Sequence, residues 1–217
     1  MGKRREFLGQ LTAVAAAMSF DVGELHAASN AAGSKWDTSW LDELAKAKYR
    51  VVFNASDVAD GAAMSYAAEF LDQYHEVHDT ADKDTRAVIV FRRLGTIMAL
   101  NDAMWAKYTI GESRKVTDFA TRAPALRNVF WQAAPGASPE AAAEKISTLR
   151  SRGLISLVCN IALGNVASGF AERTKRDTES VQAEVRANLI PGAIIVPSGI
   201  FGLIRAQNAG CAYMQGT

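Results

Sequence analysis

Cys159 is the residue of this chain best placed to do chemistry. It closes the apolar run Gly153-Leu-Ile-Ser-Leu-Val-Cys159-Asn160, and a helix-forming stretch follows at once. A thiol in that position stands at the carboxyl end of a strand, beside the start of a helix. The helix dipole and the free N–H groups of the first turn favour negative charge there, and the thiolate is the nucleophilic form of cysteine. The competing assignment is packing, because unpaired cysteine is among the most buried residue types. Arg92 and Arg93 leave a second apolar run at the same expected sheet edge. A guanidinium there would favour the thiolate or hold an anionic ligand such as a sulfur oxyanion; solvated or intersubunit arginines are the alternative. Asn54 and Asp57 follow the first run and would line the same crevice or cap the turn. Asn160 would orient a ligand or cap the helix. His75 and His78 are three apart beside Glu76 and Asp79, a spacing that puts both rings on one helix face. Two ligands do not make a metal site, and a solvated helix end explains them, so no metal is assigned. Cys211 reads as a packing residue. It would form a disulfide with Cys159 only if their Cα atoms came within about 7 Å.

Alternating strands and helices must position these groups. Strands are expected at 49–54, 86–91, 154–159, 193–196 and, as a short edge, 211–214. A short amphipathic helix is expected over 37–47, carrying Trp40, Leu41 and Leu44. Asp60 is expected to cap a helix from Gly61 to about Tyr74, and Asn101 one through Tyr108. Ser138-Pro139-Glu140 opens a helix to Arg152, with Gly153 as its stop. Helices over 160–173, from Asp177 to about Leu189, and from Ser198 to Asn208 complete the pattern. This order predicts an α/β fold with a mainly parallel sheet of about five strands and helices on both faces. Gly164 and Gly169 suggest close backbone packing, with a subunit contact as one source. Residues 109–138 form a long loop insertion with Pro124 and Pro135. Phe119, Phe130 and Trp131 within it would close as a lid over the crevice or bury against a neighbouring subunit.

Composition excludes several classes. The chain has 217 residues with 24 Lys and Arg against 23 Asp and Glu, a formal charge of +1. There is no basic field for nucleic acid. No Gly-x-x-x-x-Gly-Lys phosphate loop, Gly-x-Gly-x-x-Gly, Gly-x-Ser-x-Gly or Cys-x-x-Cys occurs, and no cofactor is assigned. Residues 1–30 stand apart. Lys3-Arg4-Arg5 is a positive start, Phe7 to Phe20 a modest apolar run, and Leu25-His26-Ala27 a small-residue cleavage region. Arg4-Arg5-Glu6-Phe7-Leu8 resembles the twin-arginine (Tat) export signal, which implies a periplasmic protein delivered folded. The membrane enters only if that signal stays uncut as an anchor. Removing residues 1–27 takes three basic and three acidic residues and leaves the charge balance unchanged. Residues 31–48 are then a linker and short helix, and 49–217 the α/β domain.

The C-terminal half carries a further resemblance. Gly153-Leu-Ile-Ser-Leu-Val-Cys159-Asn160, Asn188-Leu-Ile-Pro-Gly-Ala-Ile-Ile-Val-Pro-Ser-Gly199-Ile, Leu203-Ile204, Gln207 and Gly210-Cys-Ala-Tyr213 together resemble the DsrE/DsrF-like family of small α/β proteins. The likeness runs over about 49–214 apart from 109–138. It implies a homo-oligomer, trimer or hexamer, in which Cys159 accepts and passes sulfur as a persulfide between a donor and an acceptor protein. Where the family often has His-Gly after the second strand, this chain has Arg92-Arg93-Leu94-Gly95. The other reading is a non-enzymatic oligomeric accessory or ligand-binding protein of the periplasm.

Overall fold

Five apolar runs pair side by side into one parallel sheet. The computed structural model describes residues 35–217, and Trp36–Thr217 form one compact unit. The export-signal motif, its apolar run and the start of the linker lie outside the described residues. The strands are β1 (Tyr49–Ala55), β2 (Thr85–Phe91), β5 (Ile155–Cys159), β6 (Ile194–Val196) and β7 (Ala212–Gln215), in the order β6-β5-β2-β1-β7, with every pairing parallel. The fold is α/β, as the alternation of elements predicts. Two-residue strands β3 (Thr117–Asp118) and β4 (Ala123–Pro124) form a separate antiparallel pair.

The central strands read as unbroken apolar runs because both of their faces are covered. Val52, Val88, Val90 and Leu157 point to one side, where α1 (Trp40–Ala45) brings Trp40 and Leu44 and α9 (Gly199–Asn208) brings Leu203 and Ala206. Phe53, Ile89, Phe91 and Val158 point to the other, thicker side. There lie α2 (Ala62–His78), α3 (Asp102–Lys107), α6 (Ile146–Ser151), α7 (Asn160–Thr174) and α8 (Thr178–Ala187). α4 (Ile110–Arg114) and α5 (Pro139–Ala143) complete the chain order. Helix α9 crosses the thin face and returns the chain from β6 to β7 at the opposite edge.

Four expected caps form: Asn101 accepts from the Met104 N–H, Ser138 from Ala141, Asp177 from Ser180 and Ser198 from Phe201. Others differ for local reasons. Asp60 does not cap α2; it sits in a left-handed turn (φ 51°) and Gly61 (φ 91°) takes the cap position. The run from Ser138 to Arg152 is two short helices rather than one, since Lys145 turns extended (ψ 142°). Gly164 and Gly169 have open space where a Cβ would stand, so no close packing among the described residues explains them.

The insertion also differs from the expected open loop. Phe130 is buried in the thick-side core, its ring 6.0 Å from that of Trp105, and Trp131 packs against the same core. Neither is a lid. Only Phe119 stands out, 93% exposed. Asn128 and the Asp118–Arg127 pair tie this segment down from within.

A charged knot fastens α3 to α7 and α8. Glu184 accepts from Lys107, from Arg176 (2.6 Å) and from the Tyr108 hydroxyl (3.1 Å). Those donors, Lys107 foremost, hold the Glu184 carboxyl well below its ordinary 4.5, at about 2. A depressed folded value contributes stability that is present above the unfolded carboxylate range and lost as pH falls toward about 2. Glu184→Gln should therefore lower the urea midpoint at pH 7, and the gap to wild type should narrow in acid. A gap independent of pH would show that the knot acts by packing alone.

Candidate functional site

At the carboxyl end of β5 the chain passes directly from Cys159 into α7. Cys159 itself is the helix cap, in extended conformation (φ −67°, ψ 113°), and its Sγ accepts the backbone N–H of Ala162 at 3.4 Å. Of the two roles open to Asn160, the cap goes to the sulfur instead, and Asn160 is the first helical residue. Asn160 is half-buried, and its Oδ1 is buried without a hydrogen-bond partner. Cys159 is 7% exposed, so the sulfur is recessed rather than perched at the surface.

The neighbouring strand brings Arg92 alongside. β2 and β5 pair with Phe91 opposite Val158, and one more step in that register sets Arg92 beside Cys159. Val90 and Leu157 face the α9 side, and the alternation along each strand puts Arg92 and Cys159 on that side as well. The Arg92 stem lies over the first residue of α9: a Cβ on Gly199 would stand 2.8 Å from the Arg92 Cβ. Its guanidinium reaches Asn54 Oδ1 at 3.4 Å. Asn54 is 6% exposed and donates to the Tyr213 hydroxyl (3.1 Å) and Gln215 Oε1 (2.9 Å). A polar row thus crosses the sheet end from β7 through β1 to Arg92, with Cys159 next in line.

The structure brings Asn54, Arg92, Cys159 and Asn160 to one end of the sheet. It separates Arg92 from Arg93. Arg93 turns back in the left-handed region (φ 49°), is exposed, and faces a different crevice. Asp57 is a turn residue whose Oδ1 accepts the Val58 N–H at 2.7 Å. Tyr213 and Gln215 escape sequence reasoning, because nothing in β7 marks its register against Asn54 until the pairing is seen.

The other candidates have structural explanations. Cys211 begins the turn into β7, and burial pushes its thiol up to about 12. Cys159 and Cys211 are both unpaired. Cys159 ends β5 and Cys211 precedes β7, three strands away, so the lateral spacing alone is about 14 Å and no disulfide spans it. His75 Nε2 lies 3.3 Å from Asp82, and His78 stacks on Tyr49 with ring centroids 5.1 Å apart. Among the described residues no group of three His, Cys, Asp or Glu side chains gathers to hold a cation. No described helix is long and apolar enough to cross a membrane.

No protein-family model matches the chain, and no curated protein matches it. A solved structure of a protein of unknown function from Methanobacterium thermoautotrophicum is similar over 77% of this chain and 98% of its own, at 16% identity and a TM-score of 0.39.

Proposed function

We propose that Cys159 is a sulfur-handling thiol and that the protein is a sulfur carrier of the sulfurtransferase type. In this reading it is exported to the periplasm, assembles as a homo-oligomer (trimer or hexamer) and exchanges sulfur with a donor and an acceptor protein. The observation that carries the reading is the sulfur at the start of α7, with the Ala162 N–H donating to it. A donor of that kind strengthens its hold as the sulfur gains negative charge. Arg92 in the adjacent strand adds a cation to the same sheet edge.

The step balances without an added oxidant. Cys159 thiolate attacks the terminal sulfane sulfur of a donor persulfide or polysulfide. The new S–S bond forms as the donor's S–S bond breaks, and the donor's remaining sulfur leaves as the thiolate or the shortened polysulfide anion. An acceptor thiolate repeats the exchange and regenerates Cys159.

Treating the purified protein with inorganic polysulfide and weighing it intact tests the reading. One sulfur atom, about 32 Da, should be gained by wild type and not by Cys159→Ala. Cys211 is the internal control, since its thiol stays protonated at neutral pH. A native protein that gains no mass overturns the proposal. The recessed sulfur, 7% exposed, favours the second reading in that event: an oligomeric accessory or ligand-binding protein with a silent cysteine.

A further inference from the structure

A crevice of about 330 Å³ opens beside the first two turns of α7. Arg93 and Leu94 border it from the turn after β2, Arg114 from α4, and Ala162, Asn165 and Val166 from α7. Its chemistry is uneven. Leu94, Ala162 and Val166 contribute apolar lining, and Arg93, Arg114 and Asn165 contribute polar lining.

Ion pairs tie down some of the described arginines and leave others, Arg93 and Arg114 among them, without a carboxylate. Arg127, Arg152 and Arg176 each hold a carboxylate at 2.6 to 2.8 Å. Arg93 and Arg114 have no ion-pair partner among the described residues. The adjoining cleft holds Asp57 as well as Arg93, but Asp57 serves its own turn. Two like charges facing one small cavity repel, and an anion between them reverses the sign of that interaction.

The backbone fixes one of the two. Arg93 sits at φ 49°, a region that residues with a Cβ seldom occupy. It is held there by the Arg92 N–H donating to Ala55 O (3.1 Å) and the Gly95 N–H donating to Arg92 O (3.0 Å). Strain of this kind, kept up by surrounding hydrogen bonds, aims a side chain. The other arginine comes from the insertion, which thereby contributes to a site.

We propose that this crevice binds a small organic anion. Its carboxylate, sulfonate or phosphate head lies between Arg93 and Arg114 with the Asn165 amide, and a short apolar body lies on Leu94, Ala162 and Val166. Guanidinium forks match the paired oxygens of all three heads. The volume is at the small end of the range for ligand sites, about 300–1,000 Å³. The site does not depend on sulfur chemistry. Ala162 adjoins both places, with its N–H toward Cys159 Sγ and its side chain toward the crevice.

Calorimetric titration of the full chain with benzoate, benzenesulfonate and phenyl phosphate, beside acetate and sulfate at constant ionic strength, tests this. At least one aromatic anion should bind saturably, about ten-fold or more tighter than acetate or sulfate. The tightest of the three identifies the head group. Arg93→Gln and Arg114→Gln should each weaken it about ten-fold with an unchanged unfolding midpoint. Arg186→Gln, an exposed arginine on α8, should leave it unchanged. Cys159→Ser should bind as wild type, which separates this site from the thiol. Absence of saturable binding overturns the proposal. So does equal loss in Arg186→Gln, or wild-type affinity in both Arg93→Gln and Arg114→Gln.

Discussion

Asn128→Leu will lower the unfolding midpoint by on the order of 10 °C. The side chain is 1% exposed and makes three hydrogen bonds. Its Nδ2 donates to the carbonyls of Met98 and Leu100, both at 2.8 Å, and its Oδ1 accepts the Phe130 N–H at 3.0 Å. Leucine keeps the volume and removes every partner. Two carbonyls and one N–H then lie buried and unmatched, at about 1–3 kcal/mol each. Those groups belong to the turn after β2 and to the base of the insertion, so the loss falls where the two segments meet. Asn128→Asp keeps the acceptor and loses the donor, and should fall below wild type as well. Thermal unfolding followed by circular dichroism reads both. A leucine variant that melts with wild type would show that the insertion is held by Phe130 and Trp131 packing alone.

That amide marks the limit of what the sequence made legible. The sheet was readable because its strands are short apolar runs between helices with clear caps, and Cys159 was readable because one of those runs ends on it. Period and capping residues are local signals, and they placed β5, α7 and α8 within a residue or two. The insertion carried no such signal. Its order comes from side chains reaching beyond their neighbours, as Asn128 does to the Met98 and Leu100 carbonyls and Arg127 to the Asp118 carboxylate. The Arg92-Arg93 pair shows the same limit at the site. Neighbours in sequence are expected at one sheet edge, and a single left-handed residue turns Arg93 away from Arg92. An Asn at the start of a helix is consistent with a cap or a ligand contact, and the turn geometry hands the Ala162 N–H to sulfur instead.

Gly95 holds the turn that carries both Arg92 and Arg93, and Gly95→Ala should show it. A Cβ there would overlap the Ala55 carbonyl oxygen and stand 3.0 Å from the Asp57 carbonyl oxygen. Both are backbone atoms, so no side-chain rotation relieves the overlap; the end of β1 and the turn after β2 must part. Overpacking of this kind costs about 1–3 kcal/mol. The hydrogen bonds from Arg92 N–H to Ala55 O (3.1 Å) and from Gly95 N–H to Ser56 O (3.4 Å) stretch in the same movement. Arg92 beside Cys159, and Arg93 at the rim of the anion crevice, both hang from that turn. Gly164→Ala is the matched control: it lies in α7, meets open space, and should be neutral or stabilise by up to about 1 kcal/mol through helix propensity. Urea unfolding and anion titration on the two variants give opposite expectations. Gly95→Ala loses stability and anion affinity together, and Gly164→Ala loses neither. If Gly95→Ala keeps both, the turn yields without moving its arginines, and the close approach at Ala55 does not set the geometry of either crevice.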